Sequence, residues 1–163
     1  MREIKRRQMQ LGEVSIESIE FDIKSRDDIP QILKGLQYLY CNQDIRNKIF
    51  EVLERLIPAK VNKNTGRPGL CLWNILVLGM LRLNLDWNYD RLQQMANNHQ
   101  KIRQMLGHGD FDKHYYNLQT LKDNIGMFTP QILDEINQII VAAGHKLVKK
   151  KIRNRYVGAV IRL

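Results

Sequence analysis

Five titratable side chains fall within the seven residues His108-Gly109-Asp110-Phe111-Asp112-Lys113-His114. Two imidazoles and two carboxylates this close can share one divalent ion in principle. Their spacing matches no strong metal motif, and Lys113 would set a cation beside the ion, so the expectation is a surface loop and no metal site. Asp86, Asp90, Asp123, Asp134 and Glu135 are further acids in the same half of the chain. Two-metal phosphoryl transfer needs carboxylates that hold ions about 3.5 to 4 Å apart. Asp86, Asp90 and Asp134 instead stand where helix starts and exposed faces favour acids, so no catalytic residue is assigned. Cys41 and Cys71 lack the close spacing of a metal or redox pair and read as small apolar packing residues in a reducing compartment. No cofactor is expected.

A second kind of chemistry is nucleic-acid recognition. Asn117 and Gln119 carry amides able to pair bidentately with adenine, Lys122 can reach a phosphate or a guanine edge, and Thr120 accompanies them on one predicted helix, with Lys113 just ahead of it. A solvated helix face carries the same residue types, which is the competing reading. Lys63-Asn64-Thr65-Gly66-Arg67-Pro68-Gly69 contains the triplet Gly-Arg-Pro, which can lay Arg67 into a narrow minor groove. An AT-hook would place a second arginine where Thr65 stands, so a rigid turn with Arg67 at most touching a phosphate is the expectation. Lys146 to Arg155, including Lys149, Lys150 and Lys151, forms a basic arm able to bind any polyanion with strong salt dependence.

Charge is distributed unevenly. The formal net charge is +9, yet residues 136–163 hold seven bases and no acid, leaving 19 bases against 17 acids in the preceding 135 residues. The basicity is concentrated at the C-terminal end, which points to a polyanionic partner there rather than for the body. With 163 residues, 44% of them hydrophobic and 26% charged, the chain fits one compact folded domain. The longest apolar run, Leu70 to Leu81, is interrupted by Asn74 and is too short to cross a bilayer of about 30 Å, and the basic N-terminus has no apolar stretch behind it. A cytoplasmic protein without membrane contact is expected.

Helical spacing dominates the chain. Val14, Ile16, Ile19, Phe21 and Ile23 partly alternate and predict a short extended segment. Asp27-Asp28-Ile29-Pro30 supplies a helix start, and Ile32, Leu33, Leu36, Leu39 and Tyr40 follow at helical intervals to Cys41. Asn42 or Asp44 caps a second helix that buries Ile45, Ile49, Val52, Leu53 and Leu56 and ends before Pro58. Residues 59–69 read as a linker. Leu70 to Leu83 is apolar nearly all round and predicts a central buried helix. Shorter helices are predicted at Tyr89 to Asn97, His99 to Leu106 and Tyr116 to Met127, and a last one from Thr129-Pro130 to near Gly144. Tyr156 to Ile161 reads either as an unmatched ending or as a lone strand. The fold class expected is all-α, with residues 1–58 as an N-terminal segment and helical pair, 70–148 as the main helical domain, and 149–163 as a loose basic tail.

Several of these segments occur in a recognisable order: Asn64-Thr65-Gly66-Arg67-Pro68-Gly69-Leu70, the apolar helix, Leu85-Asp86-Trp87-Asn88-Tyr89-Asp90-Arg91-Leu92, Leu118-Gln119-Thr120-Leu121-Lys122-Asp123-Asn124, and Thr129-Pro130 through Ala143-Gly144-His145-Lys146-Leu147-Val148. In this the chain resembles the N-terminal domain of bacterial insertion-sequence transposases of the ISNCY group, over about half its length. The resemblance implies a helix-turn-helix variant across Tyr89 to Met127 that binds transposon ends. It also implies that the DDE triad of such enzymes lies in an RNase H-like domain beyond this sequence, so that the chain reads as a truncated, non-catalytic region. Expected partners are transposon-end DNA and either a second copy or an intact transposase. Two other readings stand beside it: a helical interaction module that dimerises with an intact transposase and inhibits it, and a small transcription regulator.

Overall fold

The computed structural model describes residues 3, 5, 9–58 and 69–161, with side chains described as far as Leu147. Among these residues all extended regular structure is helical: α1 (Ile29–Cys41), α2 (Gln43–Glu54), α3 (Leu72–Asn84), α4 (Tyr89–Asn98), α5 (Gln100–Met105), α6 (Leu118–Ile125) and α7 (Pro130–Ile161), preceded by a 3-10 turn at Ile16–Ser18. The fold is all-α. The greater part of the expected 59–69 linker, Arg67 included, lies outside the described residues.

The N-terminal alternation does not produce a strand. Ile16 and Ile19 are buried at the two ends of the 3-10 turn, three residues apart, and the Gln37 amide donates to the carbonyls of Ile16 at 2.7 Å and Ile19 at 2.9 Å. With no neighbouring strand among the described residues to accept a ladder, the backbone turns and a buried side chain supplies the donor. Asp27, rather than Asp28, receives the first free N–H of α1, from Ile29 at 3.0 Å. Asn42 alone separates α1 from α2: its extended backbone ends one helix while its side chain accepts from Ile45 N–H at 3.3 Å to start the next.

Every residue from Leu72 to Leu81 in α3 is buried. The helix is surrounded by α1, α2, α4 and α6, which is what an apolar circumference requires. Tyr40 from α1 and Phe50 from α2 close on Trp73, the Tyr40 and Trp73 rings lying 4.9 Å apart between centroids. On another side, Gly79 lets the Phe128 ring approach so closely that a β-carbon would lie 2.6 Å from it. Cys71 is half-buried as a packing residue would be, but Cys41 at the end of α1 is exposed.

The last helix is longer than the sequence pattern suggests. α7 runs through Gly144 and on to Ile161, over 32 residues or about 48 Å. A single interior glycine costs a helix only about 1 kcal/mol, and the Lys, Leu, Arg and Ile residues that follow are adequate helix formers with no proline among them. The expected stop at Gly144, the loose tail and the lone strand at Tyr156 to Ile161 are therefore all replaced by helix. Near its start α7 is fastened to the end of α2 by a forked Arg55–Glu135 ion pair, whose Nη1–Oε1 distance is 2.9 Å. No helix among the described residues is long and apolar enough to cross a membrane.

Candidate nucleic-acid interface

Three short helices and the loop between the last two build the candidate surface. Asp86 turns the chain from α3 towards α4 with a left-handed backbone (φ 51), a conformation that aspartate tolerates better than most residues. Asn88 then caps α4, accepting from Arg91 N–H at 2.8 Å, and His99 caps α5 through its Nδ1. α5 is only six residues long; backbone N–H groups of Leu106, Gly107 and His108 close its last turn, and the carbonyls of Met105 and Leu106 are satisfied from α3. Trp73 Nε1 donates to Met105 O at 2.9 Å and Asn74 Nδ2 to Leu106 O at 3.2 Å.

The His108–His114 segment is a surface loop, as expected, with Asp110, Phe111, Lys113 and His114 exposed, but its first residue is turned into the protein. His108 is buried, with Nδ1 2.6 Å from Asp112 Oδ2 and Nε2 2.5 Å from the Tyr116 hydroxyl, which also accepts from Asn74 Nδ2 at 3.3 Å. The proton positions follow from what each group can do. A carboxylate only accepts, so Nδ1 carries the imidazole proton; Nε2 then accepts from the Tyr116 O–H, whose oxygen accepts from Asn74. One-way donation runs from Asn74 through Tyr116 and His108 to Asp112. Burial lowers the His108 pKa, outweighing the opposing pull of Asp112. Burial would raise Asp112, but hydrogen bonds from His108 and from the His114 N–H hold it below its ordinary value. Burial also pushes the Tyr116 phenol well up. The Arg103 guanidinium ties the loop again, donating to His114 O at 3.0 Å and Asp112 O at 2.8 Å.

These bonds fix the entry to α6. Tyr116 N–H donates to Asn97 Oδ1 at 2.7 Å, and Tyr116 O accepts from Asn97 Nδ2 at 2.9 Å and Gln93 Nε2 at 3.2 Å, so α4 holds the residue before the α6 cap on both sides. Asn117 is that cap: its Oδ1 accepts from Thr120 N–H at 2.8 Å. Bidentate pairing with adenine would compete with the cap for the same oxygen. Gln119 is exposed, with Nε2 bonded to Asp123 Oδ1 at 2.6 Å, and Thr120 is half-buried. Lys122 and Lys113 are exposed on α6 and on the loop ahead of it. Gln119, Thr120 and Lys122 thus share α6 with Lys113 near its start, whereas Lys149, Lys150 and Lys151 belong to the far part of α7. Leu118 is half-buried, while Leu121, Asn124 and Ile125 form the buried face.

Two kinds of residue were missed from sequence. Tyr116 and Asn74 hold the loop, although an apolar-helix asparagine followed far downstream by a His-x3-Asp-x3-Tyr spacing carries no recognised signal. Phe111 and Tyr115 flank Lys113 and are 82% and 66% exposed, giving a cation interleaved with aromatics. That alternation is visible in the sequence and is a known trait of nucleic-acid surfaces. Among the described residues no three His, Cys, Asp or Glu side chains gather as a metal site. No protein family, curated protein or solved structure matches this chain.

Proposed function

We propose that this chain is a DNA-binding and assembly region of the insertion-sequence transposase kind, which holds transposon-end DNA without itself performing strand transfer. The observation that supports this most is the continuation of α7 as helix through the segment Lys146 to Arg155, within a stretch that holds no acid from Ile136 onward. A helix keeps its cations at a fixed rise of about 1.5 Å per residue, and Lys146, Lys149, Lys150 and Arg153 recur at the intervals that bring residues to one side. Such a row suits a phosphate backbone. In this reading α4, α5 and α6 act as a helix-turn-helix variant: Gln119 and Lys122 meet base edges, Lys113 meets a phosphate, and the α7 bases supply affinity without sequence preference.

The test is fluorescence anisotropy on duplexes taken from the DNA flanking the coding sequence and on scrambled duplexes, over a salt series. Replacing Lys149, Lys150 and Arg153 with alanine is expected to weaken binding to all duplexes and to flatten the log-log salt slope by about 0.9 for each phosphate that is no longer neutralised. Gln119→Ala and Lys122→Ala are expected to reduce the preference for the flanking DNA by about 1 to 3 kcal/mol per base recognised. Absence of binding even at low salt would overturn the proposal, as would binding unaffected by either set of substitutions.

A further inference from the structure

The hydrogen bonds through His108 can run in one direction only. Asn74 Nδ2 donates to Leu106 O as well as to the Tyr116 hydroxyl, so this amide cannot turn its oxygen towards the tyrosine. At the other end Asp112 only accepts. The Tyr116 proton therefore points at His108 Nε2, and that nitrogen carries none. A second proton on the imidazole would face the Tyr116 oxygen with two donors and take from the hydroxyl its own acceptor. Burial of the ring opposes that proton, as do the Arg103 guanidinium of α5 and the His114 ring, which lies parallel at 5.0 Å between centroids; Asp112 favours it, and burial wins. Among the described residues, the other ionisable groups lining the cavity beside the ring are Cys71 ahead of α3, and Glu3, Lys5 and Glu13 of the N-terminal segment.

What His108 holds can come away without the helices. Gly107, left-handed at φ 82, turns the chain out of α5 immediately before it. Asp112 is bonded to Nδ1 and itself accepts from the His114 N–H at 2.8 Å, so the middle of the loop moves with the ring. Gly109 lies so close to the backbone of Gly12 that a β-carbon on it would be 2.6 Å away, so the turn at residues 9–13 is seated on the same loop. α6 has a separate anchor, because Asn97 of α4 bonds both the N–H and the carbonyl of Tyr116. We propose that His108 is a proton-operated latch: on taking up a second imidazole proton it leaves the Tyr116 hydroxyl, and loop 108–114 opens with the turn seated on it while the helices stay folded. The open loop binds that proton more tightly than the closed one, so opening grows as pH falls.

The latch does not depend on the DNA reading, and its test uses no DNA. Amide hydrogen exchange of the full chain, resolved by residue with NMR and corrected for the intrinsic rate, reads the opening directly. It is followed from pH 7.5 downwards until the His108 ring, observed in the same samples, has titrated. The Asp112 N–H, bonded to Gly109 O, and the His114 N–H are expected to be protected at pH 7.5 and to lose protection by up to about tenfold for each pH unit below about 6.5. The Glu13 N–H, bonded across its turn to Gln10 O, is expected to follow, while amides within α3 and α6 keep their protection. His108→Gln can still donate to Asp112 and accept from Tyr116 but takes up no proton, so its loop is expected to stay closed throughout. Should that variant fail to fold, the wild type decides alone, because its opening must level off at the pH where His108 titrates. Loop amides unprotected at pH 7.5, protection that does not change with pH, or a loss shared equally by α3 and α6 would each overturn the proposal. So would a loop response that survives in His108→Gln, or an opening that does not level off with the His108 titration.

Discussion

Replacing Tyr116 with phenylalanine removes one oxygen from the middle of a buried chain of hydrogen bonds and changes almost nothing else. The hydroxyl lies 2.5 Å from His108 Nε2 and 3.3 Å from Asn74 Nδ2, and the tyrosine is 1% exposed, so water cannot readily take its place. Asn74 keeps its bond to Leu106 O, but Nε2 of His108 loses its donor. Leaving one buried polar atom unsatisfied costs about 1 to 3 kcal/mol. For a chain of this length a loss of 1 kcal/mol lowers the melting temperature by about 2 to 4 °C, so Tyr116→Phe is expected to melt about 2 to 12 °C below wild type. Thermal denaturation at pH 7.5 measures this, and a double-mutant cycle with His108→Leu separates the bond from the packing. Removing both partners should cost less than the two single losses together, because the orphaned nitrogen is gone as well. Equal melting of Tyr116→Phe and wild type, or strictly additive losses in the cycle, would refute the claim that this chain of bonds holds the loop.

Two further outcomes follow from the same structure. His108 has a folded-state pKa below its unfolded value because burial disfavours the imidazolium, so the unfolded chain binds the proton more tightly. Stability is then fully present above the unfolded pKa of about 6.5 and declines as pH falls below it; chemical denaturation between pH 7.5 and 5 should show the decline, and His108→Gln should flatten it to the residue left by His99, which is shifted in the same direction by burial. The same glycine substitution should have opposite signs on two helices: Gly35→Ala gains up to about 1 kcal/mol of helix propensity in open space, whereas Gly79→Ala meets the Phe128 ring and loses about 1 to 3 kcal/mol to overpacking before that gain is counted. Denaturant midpoints for the pair decide it, and a stabilised Gly79→Ala would show that the ring yields freely.

The helices were legible because their causes are local. An apolar circumference from Leu72 to Leu81, and asparagine at position 42 between two periodic runs, each carry their signal within a few residues. The exceptions have non-local or absent causes. Ile16 and Ile19 alternate with polar neighbours as a strand would, but their conformation is decided by Gln37, about twenty positions away. His108 looks solvated from the charges around it, but it is buried against Tyr116, whose hydroxyl is bonded to Asn74 in a helix whose other residues are nearly all apolar. At Gly144 the sequence shows a residue that often ends helices, but its backbone is not left-handed and no proline follows it, so the helix runs on. On α6 the amide oxygen of Asn117 serves the backbone first, a use that composition cannot distinguish from base recognition.

The capping of α5 from α3 has a kinetic side. Six residues are too few to nucleate a stable helix in water, and the carbonyls of Met105 and Leu106 at the end of α5 are held by Trp73 and Asn74, each 32 positions from its partner. α5 therefore has no independent existence along the folding route and can form only after a long loop has closed on α3. Once formed, its amide hydrogens are guarded by the stability of the core and not by its own length, so a segment that resembles a connector should exchange with solvent as slowly as the helix that holds it.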